Sequence, residues 1–487
     1  MMNCDFLIIG GDGDLSLRKL YPAFYSLWVS DCLPADVRIL AIARSKLSQN
    51  EFRQRVRSWF EKSKSADQLS EEVWETFIQR IEYYQLDATS HEEMRTLCNE
   101  HLNDAQRDLV IYLATPPQIF APICTAMENT ELVRPNTRIV VEKPLGDDRD
   151  SFLDINKQLT RIFDEEQIYR IDHYLGKETV QNLLALRFAN TFLEPLWNNK
   201  YIDNIQITAS ESIGASGRWD FYNEAGAMRD MVQNHLLQLL CLAAMEPPAH
   251  LEPTAVRNEK LKVLSCLRPM DEQGVRENTV IGQYTAGATE GVAVPGYLEE
   301  DGAKPKSDTE TFVALKTYID NWRWAGVPFY LRTGKRLHHR YSEIVIEFKQ
   351  VAHSIFGAQL PDGTPNRLII RLQPDETISL ELMNKVAGLD DKAPLRKVTL
   401  DLSFPDDSTL GPAPDAYQRL LFDVMRSNPT LFVRADEVEE AWKWVDGIQR
   451  VWQTTGKQPE NYTAGSWGPS RAIALIARDG RNWHEYP

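Results

Sequence analysis

The nine residues Arg170-Ile171-Asp172-His173-Tyr174-Leu175-Gly176-Lys177-Glu178 crowd cationic side chains, a phenol and a carboxylate into one short stretch. They follow an amphipathic segment ending Phe163-Asp164-Glu165-Glu166. They precede Val180-Gln181-Asn182-Leu183-Leu184-Ala185-Leu186, whose apolar spacing predicts the start of a helix. His173 and Lys177 are therefore expected at a helix entrance. Unpaired backbone N–H groups and the helix dipole favour an anion there, and His173, Tyr174 and Lys177 add side-chain donors. The chemistry this spacing suits best is the capture of a phosphate.

Other candidates are weaker when taken singly. Of nine histidines, His235 stands in Asp230-Met231-Val232-Gln233-Asn234-His235, at the head of a leucine-rich helical run reaching Leu242. Its pKa range suits a general base, yet a lone helical histidine is more often structural. The stretch 332–340 is basic, with Arg332, Lys335, Arg336 and Arg340, and reads equally well as a solvated loop. Glu211 and Asp230 have the bland alternative of solvated carboxylates, and Lys19 that of a helix-surface lysine.

Elements able to position these groups follow from length and patterning. A chain of 487 residues suits two domains better than one core. Its 54 Lys plus Arg against 70 Asp plus Glu give a formal charge of -16, which argues against nucleic acid or an anionic membrane as partner. A local cationic cluster still works, because bulk charge is screened beyond roughly 8 Å. The six cysteines show no C-x-x-C spacing, so neither a metal site nor a disulfide framework is expected. No signal peptide is read before Asp5 and no apolar run has the length of a membrane span, so a cytoplasmic location is expected.

Asp5-Phe6-Leu7-Ile8-Ile9 reads as a strand, Gly10-Gly11-Asp12-Gly13-Asp14-Leu15 as a glycine turn, and the residues through Leu27 as a helix; Val37 to Ala43 is a second strand. This fits a dinucleotide-binding crossover, although Ser16 falls where the third glycine of the usual motif would be. Arg44-Ser45 ends the second strand. An acid at that place accepts a ribose 2′-hydroxyl, whereas an arginine grips a 2′-phosphate, so Arg44 favours NADP. Further expected elements are a helix over 51–81, a strand over 83–87 ending with Asp87 at the cofactor edge, and strands over 109–114 and 138–142. Lys143 would lie at such a strand end, its backbone fixed by Pro144 and Gly146.

After the nonapeptide the pattern changes. A strand is expected over 202–210, a turn-rich connector over 220–228, and a helix over 230–242. Short alternating strands are expected at 311–319, 343–348, 367–372, 377–383 and 397–402, with a turn over 361–365 and a helix over 436–452. The predicted architecture is an α/β Rossmann-like domain over 1–172, followed by an α+β domain over 173–487 built on a large, mainly antiparallel sheet.

The nonapeptide resembles the signature of the glucose-6-phosphate dehydrogenase family. Further similar blocks are Gly10 to Leu20, Glu142-Lys143-Pro144-Leu145-Gly146, Arg229 to His235, and Arg332-Thr333-Gly334-Lys335. The resemblance implies oxidation of glucose 6-phosphate at C1 to a lactone, with hydride passing to NADP, in the oxidative pentose phosphate pathway. It implies His235 as the base, Asp172 as its partner carboxylate, and His173, Tyr174 and Lys177 at the phosphate. It further implies Glu211, Asp230, Lys335, Arg340, Lys143, Lys19 and Gln373 as sugar contacts. The cofactor set comprises Gly10, Gly11, Asp12, Gly13, Asp14, Leu15, Arg44, Ser45, Asp87 and Lys143, with no metal, and the family's dimers and tetramers imply a homo-oligomer.

One residue departs from the family pattern: Asp12 stands where a small hydroxyl or basic residue is common. Its charge is expected to weaken discrimination against NAD, unless it points to solvent or caps the helix beginning near Asp14. Two other functions remain open: a sugar oxidoreductase of the glucose-fructose oxidoreductase type, which shares Glu-Lys-Pro, and a non-catalytic dinucleotide-binding regulator.

Overall fold

The computed structural model describes residues 3–62, 69–304, 306–356, 365–387, 395–403 and 414–485. The chain divides into two compact units, the first formed by Met1–Lys177, His250–Arg257 and Ala413–Glu439, the second by Glu178–Ala249, Asn258–Pro412 and Glu440–Pro487. The first unit therefore runs five residues past the expected boundary and takes back two later segments.

Among the described residues the first unit is built on a sheet of seven strands. These are β1 (Cys4–Ile9), β2 (Arg38–Ala43), β3 (Ile81–Gln85), β4 (Asp108–Leu113), β5 (Thr137–Val141), β6 (Ile168–Ile171) and, from the late return, β17 (Phe432–Val433). Their spatial order is β17-β6-β5-β4-β1-β2-β3, parallel throughout except that β17 runs antiparallel to β6. β1 and β4 are buried at every position and apolar apart from Asp5 and Asp108, as suits strands covered on both faces. One face packs Leu7, Ile9, Leu40 and Ile111 under Met94, Leu97, Phe120 and Ile123. Between β2 and β3 the described residues form helices Gln49–Lys62 and Glu71–Ile78 within the span 51–81 where one helix was expected, residues 63–68 of that span lying outside the described residues, and Ile81 opens the strand. Tyr25, Phe60, Trp74 and Phe77 interlock as an aromatic cluster on that side.

The second unit carries β7 (Ile202–Ser210), β8 (Thr279–Thr285), β11 (Phe312–Thr317), β12 (Phe329–Gly334), β13 (Tyr341–Phe348), β14 (Arg367–Gln373), β15 (Thr377–Lys385), β16 (Leu395–Asp401) and β18 (Glu460–Thr463). They form one sheet in the order β16-β15-β14-β13-β7-β12-β11-β8-β18, beside a small hairpin of β9 (Gly287–Thr289) and β10 (Val292–Val294). Pairing is antiparallel except at β7 with β12 and β8 with β18, so the sheet is mixed and mostly antiparallel.

Three local readings differ. The expected connector over 220–228 is a helix, Trp219–Ala227, broken only at Gly226, whose φ is 67°. Alanine-like crowding explains the glycine, since a Cβ there would meet Glu310 Oε1 at 2.5 Å. The helix expected over 230–242 has two parts: Met228–Leu236 is wound as a π-helix and Leu237–Ala244 as an α-helix. β8, β12 and β18 were not read from sequence at all. Residues 361–364 of the expected turn lie outside the described residues. No helix among the described residues is long and apolar enough to cross a membrane.

Candidate active site

The residues singled out by sequence fall into two sets, one on each unit. On the first unit the chain leaves β1 into a turn clamped onto the end of β2: Gly10 and Gly11 N–H both donate to Ile42 O at 2.9 and 3.0 Å. Gly13 N–H donates to Gly10 O at 3.0 Å, and the Ser16 hydroxyl donates to the same oxygen at 2.9 Å. Ser16 in place of a third glycine thus braces the turn through its side chain. Gly10 has φ 87°, and a Cβ at Gly11 would lie 2.6 Å from Ala41 Cβ. Side chains are excluded where the backbone must pass closely, which is the requirement of a dinucleotide cradle, so the residues fit NADP. Leu15 leads into a short π-helical turn, Ser16–Leu20, and the helix Tyr21–Val29.

At the end of β2, Arg44 is exposed and the Ser45 hydroxyl donates to the Asp12 carboxylate. Asp14 pairs instead with Arg18. Beyond β3, Asp87 accepts from Thr89 N–H and Oγ1 at 3.0 and 2.8 Å. Those hydrogen bonds, with Arg44 adding a smaller attraction, hold its carboxyl below the usual range.

Beyond β5, Glu142 accepts from Tyr112 OH at 2.5 Å and is also bonded by Tyr417. Burial outweighs these bonds and the Lys143 charge, and raises the Glu142 carboxyl. The Lys143-Pro144 peptide is cis. Within the nonapeptide, Arg170 is spent on structure: it is 1% exposed and holds Glu165 at 2.6 Å and Asn156 Oδ1 at 2.6 Å. Asp172 ends the β6 side of a turn in which Tyr174 N–H donates to its Oδ1 at 3.0 Å and Lys177 N–H to Tyr174 O at 3.2 Å. The His173 ring stacks on Tyr417 at 6.2 Å between centroids, Lys177 Nζ lies 5.9 Å from the Tyr174 ring, and Lys19 Nζ 5.8 Å from the Tyr417 ring. The helix Glu178–Phe188 then begins as expected.

One expectation about that helix needs amendment. On the second unit the Glu376 carboxylate accepts from Thr179 N–H and Oγ1, both at 2.9 Å, so a side chain already answers part of the helix N-terminus. The remaining second-unit residues gather around the ends of two central strands. Glu211 follows β7, Lys335 follows β12, and Lys335 Nζ lies 2.7 Å from Glu211 Oε2. Tyr222 lies beneath, with Lys335 Nζ 4.7 Å from its ring centroid. Burial raises the Tyr222 phenol, and the charges of Asp230, Glu211 and Glu310 raise it further. The π-helix carrying Asp230 and the fully buried His235 packs against both β7 and β12. Glu310 ties that helix down by accepting from Met228 N–H at 3.0 Å. Arg340 is exposed, and Gln373 Nε2 donates to Ser342 Oγ at 2.7 Å across β13 and β14.

Tyr222, Tyr417 and Glu376 escaped the sequence reading. Each touches its partner across a long stretch of chain, so no short-range signal marks them. Tyr112 was the exception that pattern could have found, since its register partner Val140 is two residues before Glu142.

Residues 7–182 match the family profile described as glucose-6-phosphate dehydrogenase, NAD binding domain, and residues 184–484 match that of its C-terminal domain. The glucose-6-phosphate 1-dehydrogenase of Rhizobium meliloti (strain 1021) is 50% identical over 99% of this chain and 97% of its own length. That of Dickeya dadantii (strain 3937) is 46% identical over 99% and 98%. A solved glucose-6-phosphate dehydrogenase in complex with glucose-6-phosphate superposes with a TM-score of 0.89 at 34% identity, covering 99% of both chains. With both family domains matched in order and relatives near half identity along its length, this chain belongs to the glucose-6-phosphate dehydrogenase family.

Proposed function

We propose that this chain is a glucose-6-phosphate 1-dehydrogenase, oxidising the C1 hydroxyl of glucose 6-phosphate to 6-phosphogluconolactone. The observation that carries the reading is the convergence on the second unit. An ammonium, two carboxylates and a buried histidine are supplied by the ends of β7 and β12 and the π-helix packed on them. A sugar hydroxyl needs planar acceptors to orient it and a base near neutrality to take its proton; Glu211 and Asp230 serve the first need and His235 the second. The proton leaves O1 for the imidazole while the C1–H electron pair departs as hydride, leaving C1=O. NADP, when bound, supplies the hydride acceptor. Asp172 is assigned to the carboxylate that stabilises the resulting imidazolium. His173, Tyr174 and Lys177 take the phosphate, with Lys335, Arg340, Lys143, Lys19 and Gln373 completing the sugar shell. A cytoplasmic location and a homo-oligomer belong to the same reading.

C1-deuterated glucose 6-phosphate tests it. The label is expected on the reduced nicotinamide, in equimolar amount with lactone; reduced nucleotide without deuterium would refute the reading.

A further inference from the structure

In crossover folds the adenosine ribose is read at the end of the second strand, where an acid accepts its hydroxyls or a cation accepts a 2′-phosphate. Here that end carries a cation, Arg44, yet an acid reaches the same corner from the glycine turn. The Ser45 hydroxyl donates to the Asp12 carboxylate. Both partners are held from behind: Tyr83 OH donates to Ser45 O at 2.6 Å and Tyr21 OH to Gly11 O at 2.7 Å. The two N–H bonds from Gly10 and Gly11 to Ile42 O fix the turn on the strand end. Asp14, at the head of the turn that follows, is engaged with Arg18, so Asp12 and not Asp14 is the carboxylate at the strand end.

We propose that Asp12, positioned by Ser45, is an acceptor for the adenosine ribose hydroxyls, so that this chain uses NAD about as well as NADP. This rests on the dehydrogenase reading above. The charge of Asp12 is felt in the corner, contributing to the raised phenols of Tyr21 and Tyr83, in each of which burial is the larger cause. Arg44 meanwhile divides its field with Asp87. A 2′-phosphate entering here meets the Asp12 carboxylate beside Arg44, with Arg55 also felt at Tyr83, whereas a 2′-hydroxyl meets an acceptor whose geometry Ser45 has already set. The usual choice between acid and arginine is thus made both ways at once.

Steady-state kcat/KM with NADP and with NAD, at saturating glucose 6-phosphate, tests the inference. The wild-type ratio is expected within about tenfold of unity. Asp12→Asn keeps the volume and an acceptor for Ser45 while removing the charge, and the NADP-over-NAD ratio is expected to rise about tenfold. Ser45→Ala, which leaves the charge but frees the carboxylate, is expected to lower kcat/KM for NAD several-fold. Binding of adenosine 2′,5′-bisphosphate against adenosine 5′-monophosphate, read by calorimetry on the whole chain, isolates the same corner from chemistry and is expected to shift in parallel. A wild type selective for NADP by more than about tenfold, or an unchanged ratio in Asp12→Asn, overturns the proposal. A wild type that reduces neither nucleotide with glucose 6-phosphate overturns the dehydrogenase reading instead.

Discussion

Lys335 Nζ lies 2.7 Å from Glu211 Oε2 because β7 and β12 are parallel neighbours in register, Ser210 beside Gly334, and each residue is the next one past its strand. The lysine backbone is pinned as well, its N–H donating to Thr311 O at 2.9 Å and its carbonyl accepting from Tyr462 OH at 2.7 Å. With a side chain only 10% exposed, this ammonium has little freedom, which suits a group that must meet a substrate in one pose.

Lys335→Ala therefore removes a charge-assisted donor and strands Glu211. Such contacts contribute about 1.5–3 kcal/mol, so KM for glucose 6-phosphate is expected to rise roughly 10- to 100-fold. KM for NADP should move little. Initial-rate kinetics check this, and a larger effect on the nucleotide would assign Lys335 to the cofactor.

His235→Ala is expected to lower kcat by roughly 10²–10⁴-fold while glucose 6-phosphate still binds, since a base is lost and not a phosphate contact. Turnover and a separate binding titration check it. Near-normal turnover would end the assignment of the base.

Much of this was legible in the sequence where the determinants are local. The run Asp5 to Ile9, the glycine turn and Arg44 lie within one crossover; the turn and both strands formed as read, while the helix opens with a π-helical turn over Ser16–Leu20 that the pattern did not show. The nonapeptide did lead into a helix at Glu178. What depended on tertiary pairing was not legible. Glu211 and Lys335 are 124 positions apart and meet only through β12, which sequence reading passed over because its end, Arg332-Thr333-Gly334-Lys335-Arg336, looks like a solvated basic loop. In fact Arg332 is 1% exposed, with its guanidinium 4.4 Å from the Trp483 ring and 5.5 Å from that of Trp467. Cation–π contact with two tryptophans from the far end of the chain buries it, and nothing near Arg332 announces that. The return of 413–439 to the first unit, with β17 pairing β6, is equally silent in local pattern.

Lys177→Ala should chiefly weaken glucose 6-phosphate and leave slow oxidation of unphosphorylated glucose nearly unchanged, because the lysine is assigned to the phosphate. Comparing kcat/KM for the two sugars checks this. Equal losses on both would place Lys177 near C1 or in the fold.

Stability should show a separable alkaline component. Burial, helped by the nearby Arg471 charge, depresses the Lys457 ammonium to about 8, while its Nζ donates to Thr279 O at 2.7 Å. Below pH 8 both folded and unfolded states carry the proton and the native state bears the full cost of the buried charge. Between about 8 and the unfolded value near 10.4 the unfolded state holds more protons, so stability rises with pH. Partial solvent exposure reduces the gain to on the order of 1–2 kcal/mol. Denaturant unfolding of wild type and Lys457→Met across pH 7.5 to 10.5 should show the variant lacking this rise; identical slopes would contradict the buried-lysine account.

The most direct test of the whole reading is reduced-nucleotide absorbance with glucose 6-phosphate and with glucose, each under NADP and under NAD. The account predicts rapid reduction that requires the 6-phosphate, with glucose far slower under either nucleotide. Equal rates with the two sugars, or no reduction with glucose 6-phosphate, would contradict it.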